Sequence, residues 1–109
     1  MKFDRELMKG HLKTIILAAL DDGPGHGYAL IQRIRERSQD IFFLSRGTLY
    51  PAMHKLEAQG LVVSIIEKPP KGPARRVYSL TIKGKKVLIE NKRNWDYFSL
   101  AMNTLLKIR

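Results

Sequence analysis

The sequence predicts a mainly α fold with a small β-hairpin: a winged helix-turn-helix that runs into one long C-terminal helix. Three observations carry this. Apolar residues recur at three- and four-residue spacing over four separate stretches, with turn formers between the first ones. A run rich in β-branched residues and an alternating run flank a tip of proline and glycine, the pattern of a hairpin. The end of the chain holds an apolar heptad rhythm without a break.

The bulk composition sets the frame. A chain of 109 residues is most simply one domain. We divide it at 1–80, the winged helix, and 81–109, the last helix, as parts of one compact unit. Twenty Lys and Arg stand against ten Asp and Glu, a net charge of +10. Such a surplus points to a polyanion, either nucleic acid or an anionic membrane surface, with plain solubility charge as the alternative. The chain has no cysteine, which removes disulfides, thiolate nucleophiles and Cys-based zinc sites and suits the cytoplasm. No apolar run approaches the roughly 20 residues of a membrane span. The apolar run over residues 15–20 is too short for a signal segment and meets Asp21 and Asp22, so export is not expected.

The elements follow in order. Leu7, Met8, Leu12, Ile15, Ile16, Ala19 and Leu20 share one side of a first helix over residues 4–20. Residues 21–27 hold too many turn formers to continue it. Their glycines lack the GxGxxG spacing and a following Lys-Ser/Thr, so a chain reversal is expected there rather than a nucleotide loop. A short amphipathic second helix spans 28–38, with Tyr28, Leu30, Ile31 and Ile34 on its apolar side. Residues 41–44 form an apolar bridge, either a short strand or a buried lead-in to the third helix.

That third helix, over residues 45–60, has two faces. Leu49, Ala52, Met53 and Leu56 form the inner one; Arg46, Gly47, Tyr50, Pro51, His54 and Lys55 form the outer one. Ser45 is placed to cap it and Gly60 to end it. Pro51 deep in a helix costs about 3 kcal/mol. A regular helix starting near Thr48, after an irregular lead from Ser45 to Tyr50, would place Pro51 in the first turn, where the loss vanishes. Small, aromatic and basic groups replace the usual Glu and Lys of a solvated face, and such a surface suits a groove of nucleic acid.

Residues 61–67 read as a strand and 75–80 as its antiparallel partner. Between them Pro69, Pro70, Gly72 and Pro73 make a protruding wing, with Lys68, Lys71, Arg75 and Arg76 on or beside it. Thr81 caps a final helix running towards Ile108, about 40 Å long at 1.5 Å per residue. Along it Leu88, Asn91, Trp95, Phe98, Met102 and Leu105 form a heptad seam. Such a seam exceeds what a small core can cover, so it predicts a homodimer, with Asn91 setting register. The alternative is that half of this face folds back on the first helix of its own subunit.

These residues resemble a known family. Gly47-Thr48-Leu49-Tyr50-Pro51-Ala52-Met53-His54-Lys55-Leu56-Glu57-Ala58-Gln59-Gly60-Leu61 is similar to the signature of PadR-type bacterial transcriptional regulators. So are Gly27-Tyr28 and the wing Gly72-Pro73-Ala74-Arg75-Arg76-Val77-Tyr78-Ser79-Leu80-Thr81 leading to Gly84. The single last helix resembles the short-chain branch of that family. The resemblance implies a homodimer on palindromic double-stranded DNA, usually a repressor, often released by a small aromatic or drug-like effector.

The expected DNA contacts follow. Arg46 and Lys55 reach phosphate or guanine, and His54 a base edge. Thr48 and Tyr50 offer hydroxyls to phosphate, as does Tyr28 at the start of the second helix. Lys71, Arg75 and Arg76 grip the backbone from the wing. Tyr50 has core, and Arg46 and Lys55 solvated surface, as their alternatives. The resemblance also implies an aromatic-stacking pore at Trp95, with Asn91, Phe98, Lys13 and Thr14 nearby; plain dimer core is the other role open to Trp95. Lys13 and Lys92 would favour an aromatic acid there. No metal spacing, carboxylate pair or Ser-His-Asp grouping is visible, so neither an enzyme nor a cofactor is expected. An RNA-binding or ribosome-associated winged helix is the competing function.

Overall fold

The structure, a computed structural model, describes residues 5–108. In chain order it runs α1 (Arg5–Lys9), α2 (Leu12–Asp21), β1 (Gly25–His26), α3 (Gly27–Arg37), α4 (Arg46–Ala58), β2 (Val62–Glu67), β3 (Arg75–Leu80) and α5 (Ile82–Leu106). The mainly α fold with a β-hairpin is therefore as predicted, with differences that have local causes.

The first predicted helix is two. Gly10 and His11 interrupt it, and a helix-interior glycine costs about 1 kcal/mol relative to alanine. Asp4, its expected start, lies outside the described residues. The predicted reversal over 21–27 contains a strand of two residues, too short for any alternation to be read. Gly25 pairs with Tyr78 and His26 with Val77, so the antiparallel sheet has the order β1-β3-β2. Arg33 fastens this turn: its Nη1 donates to the carbonyls of Ala19 at 2.9 Å and Gly23 at 2.7 Å, and its Nη2 to that of Pro24 at 3.1 Å. His26 then caps α3, Nδ1 accepting from the Ala29 N–H at 3.4 Å.

Residues 41–44 form no strand but a lead-in to α4, with Leu44 buried in the core. Before them the chain turns through two left-handed residues, Gln39 (φ 55°) and Asp40 (φ 66°). Arg35 holds that turn, its Nε 3.0 Å from Asp40 Oδ1 and its guanidinium 4.8 Å above the Phe43 ring.

α4 has the two predicted faces, with Leu49, Met53 and Leu56 buried and Arg46, Pro51, His54 and Lys55 exposed. Its start is not irregular. Ser45 Oγ accepts from the Thr48 N–H at 3.2 Å, so the helix begins at Arg46 and Pro51 stands in the second turn. Gly60 (φ 76°) ends it. The hairpin register runs from Val62 opposite Leu80 to Glu67 opposite Arg75, with residues 68–74 as the tip. Val62 and Tyr78 carry the inner face of this sheet into a core built around Ile16, Leu17, Leu30, Leu44, Leu49 and Met53.

α5 is pinned where it begins. Thr81 Oγ1 accepts from the Gly84 N–H at 3.0 Å and donates to the Gly60 carbonyl at 2.7 Å. Lys83 Nζ donates to the Gln59 carbonyl at 3.0 Å. Gly84 lies so close to the Leu61 carbonyl that a Cβ there would collide with it. The seam then divides. Leu88 is only 2% exposed within its own subunit, packed in the core, so it is not available as an interface residue and the prediction for it is corrected. Asn91 is spent on its own subunit too, its Nδ2 donating to Thr14 Oγ1 at 3.0 Å. From Trp95 onwards the face leaves the core: Trp95, Phe98, Met102 and Leu105 are all exposed.

Candidate nucleic-acid interface

The candidate interface is built on α4 and the wing. α4 turns inward because its apolar residues recur at helical spacing, and this sends Arg46, His54 and Lys55 to the solvent side of one helix. Arg46 is the first residue of the helix and Lys55 lies in its last turn, so the basic face runs the length of the element. Thr48 is half-buried and shares the cap, its Oγ1 accepting from Ser45 Oγ at 3.1 Å; its own proton stays free to donate. Tyr50 is half-buried as well. Its ring crosses to α3, and its hydroxyl occupies the space that a side chain at Gly27 would need. Tyr50 therefore joins the two helices of the motif. Tyr28 stands exposed in the first turn of α3.

On the wing, Lys71 is exposed at the tip. Arg75 pairs with Glu67 across the hairpin at 3.4 Å. Arg76 donates from Nη1 to Ser64 Oγ at 2.9 Å, and Ser64 donates in turn to Glu57 Oε2 at 2.7 Å. Glu57 belongs to α4, so this chain of hydrogen bonds ties the wing to the helix. Glu57 and Ser64 were not among the predicted residues. Their signal was present: Ser64 is the one polar residue inside the apolar run 62–66, and Glu57 follows the last buried position of α4. Burial raises the pKa of the Tyr78 hydroxyl beneath them from its ordinary 10.0; the Glu57 carboxylate raises it further, Arg76 opposes, and Tyr50 adds to the rise.

A second feature is built largely from other elements. An open groove of about 880 Å³ runs between α1, α2, α3 and α5. Thr14, Asn91, Trp95 and Phe98 all line it, as a group, beside Leu7, Met8, Ile15 and Phe42. The Trp95 and Phe98 rings lie 5.7 Å apart, and His11 meets Trp95 edge to face at 5.2 Å. Lys13 does not line the groove; it is exposed on α2. Lys92 is also outside the lining and stands 4.0 Å from Asp21. The cation at the wall is instead Arg37, whose charge is met by Asp22 at 2.9 Å. The lysines therefore give no reason to favour an aromatic acid.

The model of the transcriptional regulator PadR-like family matches residues 16–90, which include α3, α4 and the whole wing. The chain belongs to the PadR family. It is 40% identical over 89 residues to transcriptional regulator Rv3488 of Mycobacterium tuberculosis, covering 82% of this chain and 79% of that one. Among solved structures it is similar to a PadR family transcriptional regulator from Eggerthella lenta, with a TM-score of 0.82 and 31% identity, covering 95% of this chain and 88% of that one. A transcriptional regulator from Clostridium thermocellum superposes with a TM-score of 0.84 at 25% identity, covering 94% of this chain and 96% of that one. As a PadR regulator the chain is a DNA-binding protein of transcription and not an enzyme. Among the described residues, no helix is long and apolar enough to cross a membrane.

Proposed function

We propose that this PadR regulator works as a homodimer on a palindromic operator, where it represses transcription until a small planar aromatic enters the groove beside Trp95. The observation that carries this reading is the change along α5. Up to Asn91 its inward face is used by its own subunit; Trp95, Phe98, Met102 and Leu105 continue the same face but lack full cover, with His11 meeting Trp95 edge to face. A second copy supplies that cover. Two-fold pairing then places two copies of α4 in successive major grooves, about 34–36 Å apart, and the operator must be an inverted repeat to match.

In each half-site Arg46, His54 and Lys55 face the groove from α4, while Lys71, Arg75, Arg76 and Tyr28 address phosphate. Thr48 and Tyr50 serve first to build the motif, and Thr48 keeps one donor for a phosphate oxygen. The effector role rests on Trp95, Phe98 and His11, which offer aromatic edges and faces, and on Thr14 and Asn91 as polar groups beside them.

Selection of bound duplexes from random DNA tests the reading at its root. An inverted repeat bound by two subunits, with log affinity falling by about 0.9 per phosphate for each unit of log salt, is the expected result. Adding the protein then lowers transcription from a promoter that carries the selected repeat. A monomer that prefers structured RNA would overturn the dimeric operator model. Trp95 is the only tryptophan, so its fluorescence reports the groove directly: flat aromatics quench it and release DNA together.

A further inference from the structure

The wing contains a hydrogen-bonded chain that ends on a cation facing solvent and starts on a carboxylate of the recognition helix. Arg76 Nη1 donates to Ser64 Oγ at 2.9 Å, and Ser64 Oγ donates to Glu57 Oε2 at 2.7 Å. The donor direction is fixed by chemistry. A guanidinium can only donate and a carboxylate can only accept, so the single Ser64 proton must go to Glu57. Both bonds involve a charged group, which makes them the strong kind. Ser64 sits opposite Tyr78 in the register and Arg76 two residues before Tyr78, so the chain crosses both wing strands. Arg76 uses one N–H on Ser64 and keeps the remaining guanidinium donors, on an exposed side chain, for another anion.

From this geometry we infer that Glu57 and Ser64 are positioning residues for DNA binding, which hold Arg76 and the wing at a fixed place relative to α4 so that one backbone phosphate meets a preset guanidinium. The inference rests on the proposed phosphate role of Arg76 and adds to it how that contact is made. A free arginine carries several rotatable bonds whose freedom is lost when it grips a phosphate. Anchored through Ser64, Arg76 has surrendered part of that freedom before DNA arrives. The negative charge of Glu57 near the interface would by itself oppose DNA. Its place at the end of the chain gives that charge a use, since it fixes the Ser64 hydroxyl and so the guanidinium.

The sign of the effect separates positioning from bare electrostatics. Salt titrations of operator binding are run on the full-length protein and on Arg76→Ala, Ser64→Ala, Ser64→Thr and the Ser64→Ala/Arg76→Ala double variant. Arg76→Ala reduces the slope of log affinity against log salt by about 0.9 and costs roughly fivefold in affinity at 0.15 M salt, the loss of one phosphate. Ser64→Ala is expected to approach the same loss although it removes no charge. The double variant loses no more than Arg76→Ala alone, and Ser64→Thr, which keeps a hydroxyl on a strand-favouring residue, restores the slope. Should Ser64→Ala fail to fold, Glu57→Ala breaks the chain from its other end; positioning predicts weaker binding, whereas bare electrostatics predicts tighter binding. A normal slope in Ser64→Ala, or full additivity in the double variant, overturns the inference. An unchanged slope in Arg76→Ala instead overturns the phosphate role of Arg76 itself.

Discussion

The amide of Asn91 donates to the hydroxyl of Thr14 at 3.0 Å, joining α5 to α2 at the point where the last helix leaves the core. Heptad position suggested a register-setting role between subunits, yet the side chain is committed within one. Thr14→Val keeps the shape and deletes the acceptor. Because Asn91 is half-buried, the variant should lose about 1 kcal/mol of stability, read as a lower urea midpoint at unchanged m-value. Equal stability of Thr14→Val and wild type would mean that water satisfies the amide equally well.

Gly84 offers a harder test of the same helix. The group in the way of a Cβ is the Leu61 carbonyl, and a backbone atom held in a strand junction cannot swing aside as a side chain can. Gly84→Ala should therefore cost about 3 kcal/mol, the upper end for overpacking, despite alanine's better helix propensity. Thermal unfolding should show a Tm lower by roughly 10 °C or more. A Tm at or above wild type would show that α5 can shift along its axis without penalty.

Trp95 separates association from folding. It is 48% exposed in the single subunit, so Trp95→Ala leaves the winged helix folded by circular dichroism. In the proposed dimer it stands at the middle of the contact, and its loss should raise the dimer Kd by roughly 30-fold or more, as for a hot-spot aromatic. Sedimentation equilibrium measures this. An unaltered Kd would move the pairing surface away from this face.

Tyr78 gives a pH signature. Its hydroxyl pKa is raised above the ordinary 10.0, by burial first and Glu57 second. The neutral phenol is thus favoured in the fold. Its contribution is complete below about pH 10, where the unfolded chain is neutral too, and is lost as pH rises towards the folded pKa. Stability measured from pH 8 to pH 11 should fall less steeply in Tyr78→Phe than in wild type. Parallel curves for the two proteins would refute a raised pKa.

Long elements with strong period were legible in the sequence. The alternation from Arg75 to Leu80 marks β3 from end to end, and the spacing of Leu49, Met53 and Leu56 marks the inner face of α4. What escaped was decided by partners distant in the chain. β1 exists because Gly25 and His26 meet Val77 and Tyr78. The periodicity of the seam is the same whether a position meets its own core, as Leu88 does, or stands half exposed, as Trp95 does. Pro51 misled for a different reason. Local cost argued for a later helix start, whereas the Ser45 cap and the burial of Leu49 hold the first turn in place. In the candidate interface the basic residues stand out by type; Glu57 and Ser64 stand out less, because their part lies in a contact across three elements.

The pins at the start of α5 have a mechanical meaning. Thr81 on Gly60, Lys83 on Gln59 and Gly84 on Leu61 all seize the few residues that end α4. They form a fulcrum, and the helix from Gly84 to Trp95, eleven steps of rise, forms a lever arm of about 16 Å. A displacement of about 1.4 Å at Trp95 turns such an arm by about 5°. In the proposed dimer each fulcrum is also the tail of a recognition helix, so a guest wedged beside Trp95 changes the angle between two reading heads. Operator fit would then be lost by leverage, through an arm that carries Leu88 and the Asn91–Thr14 bond with it.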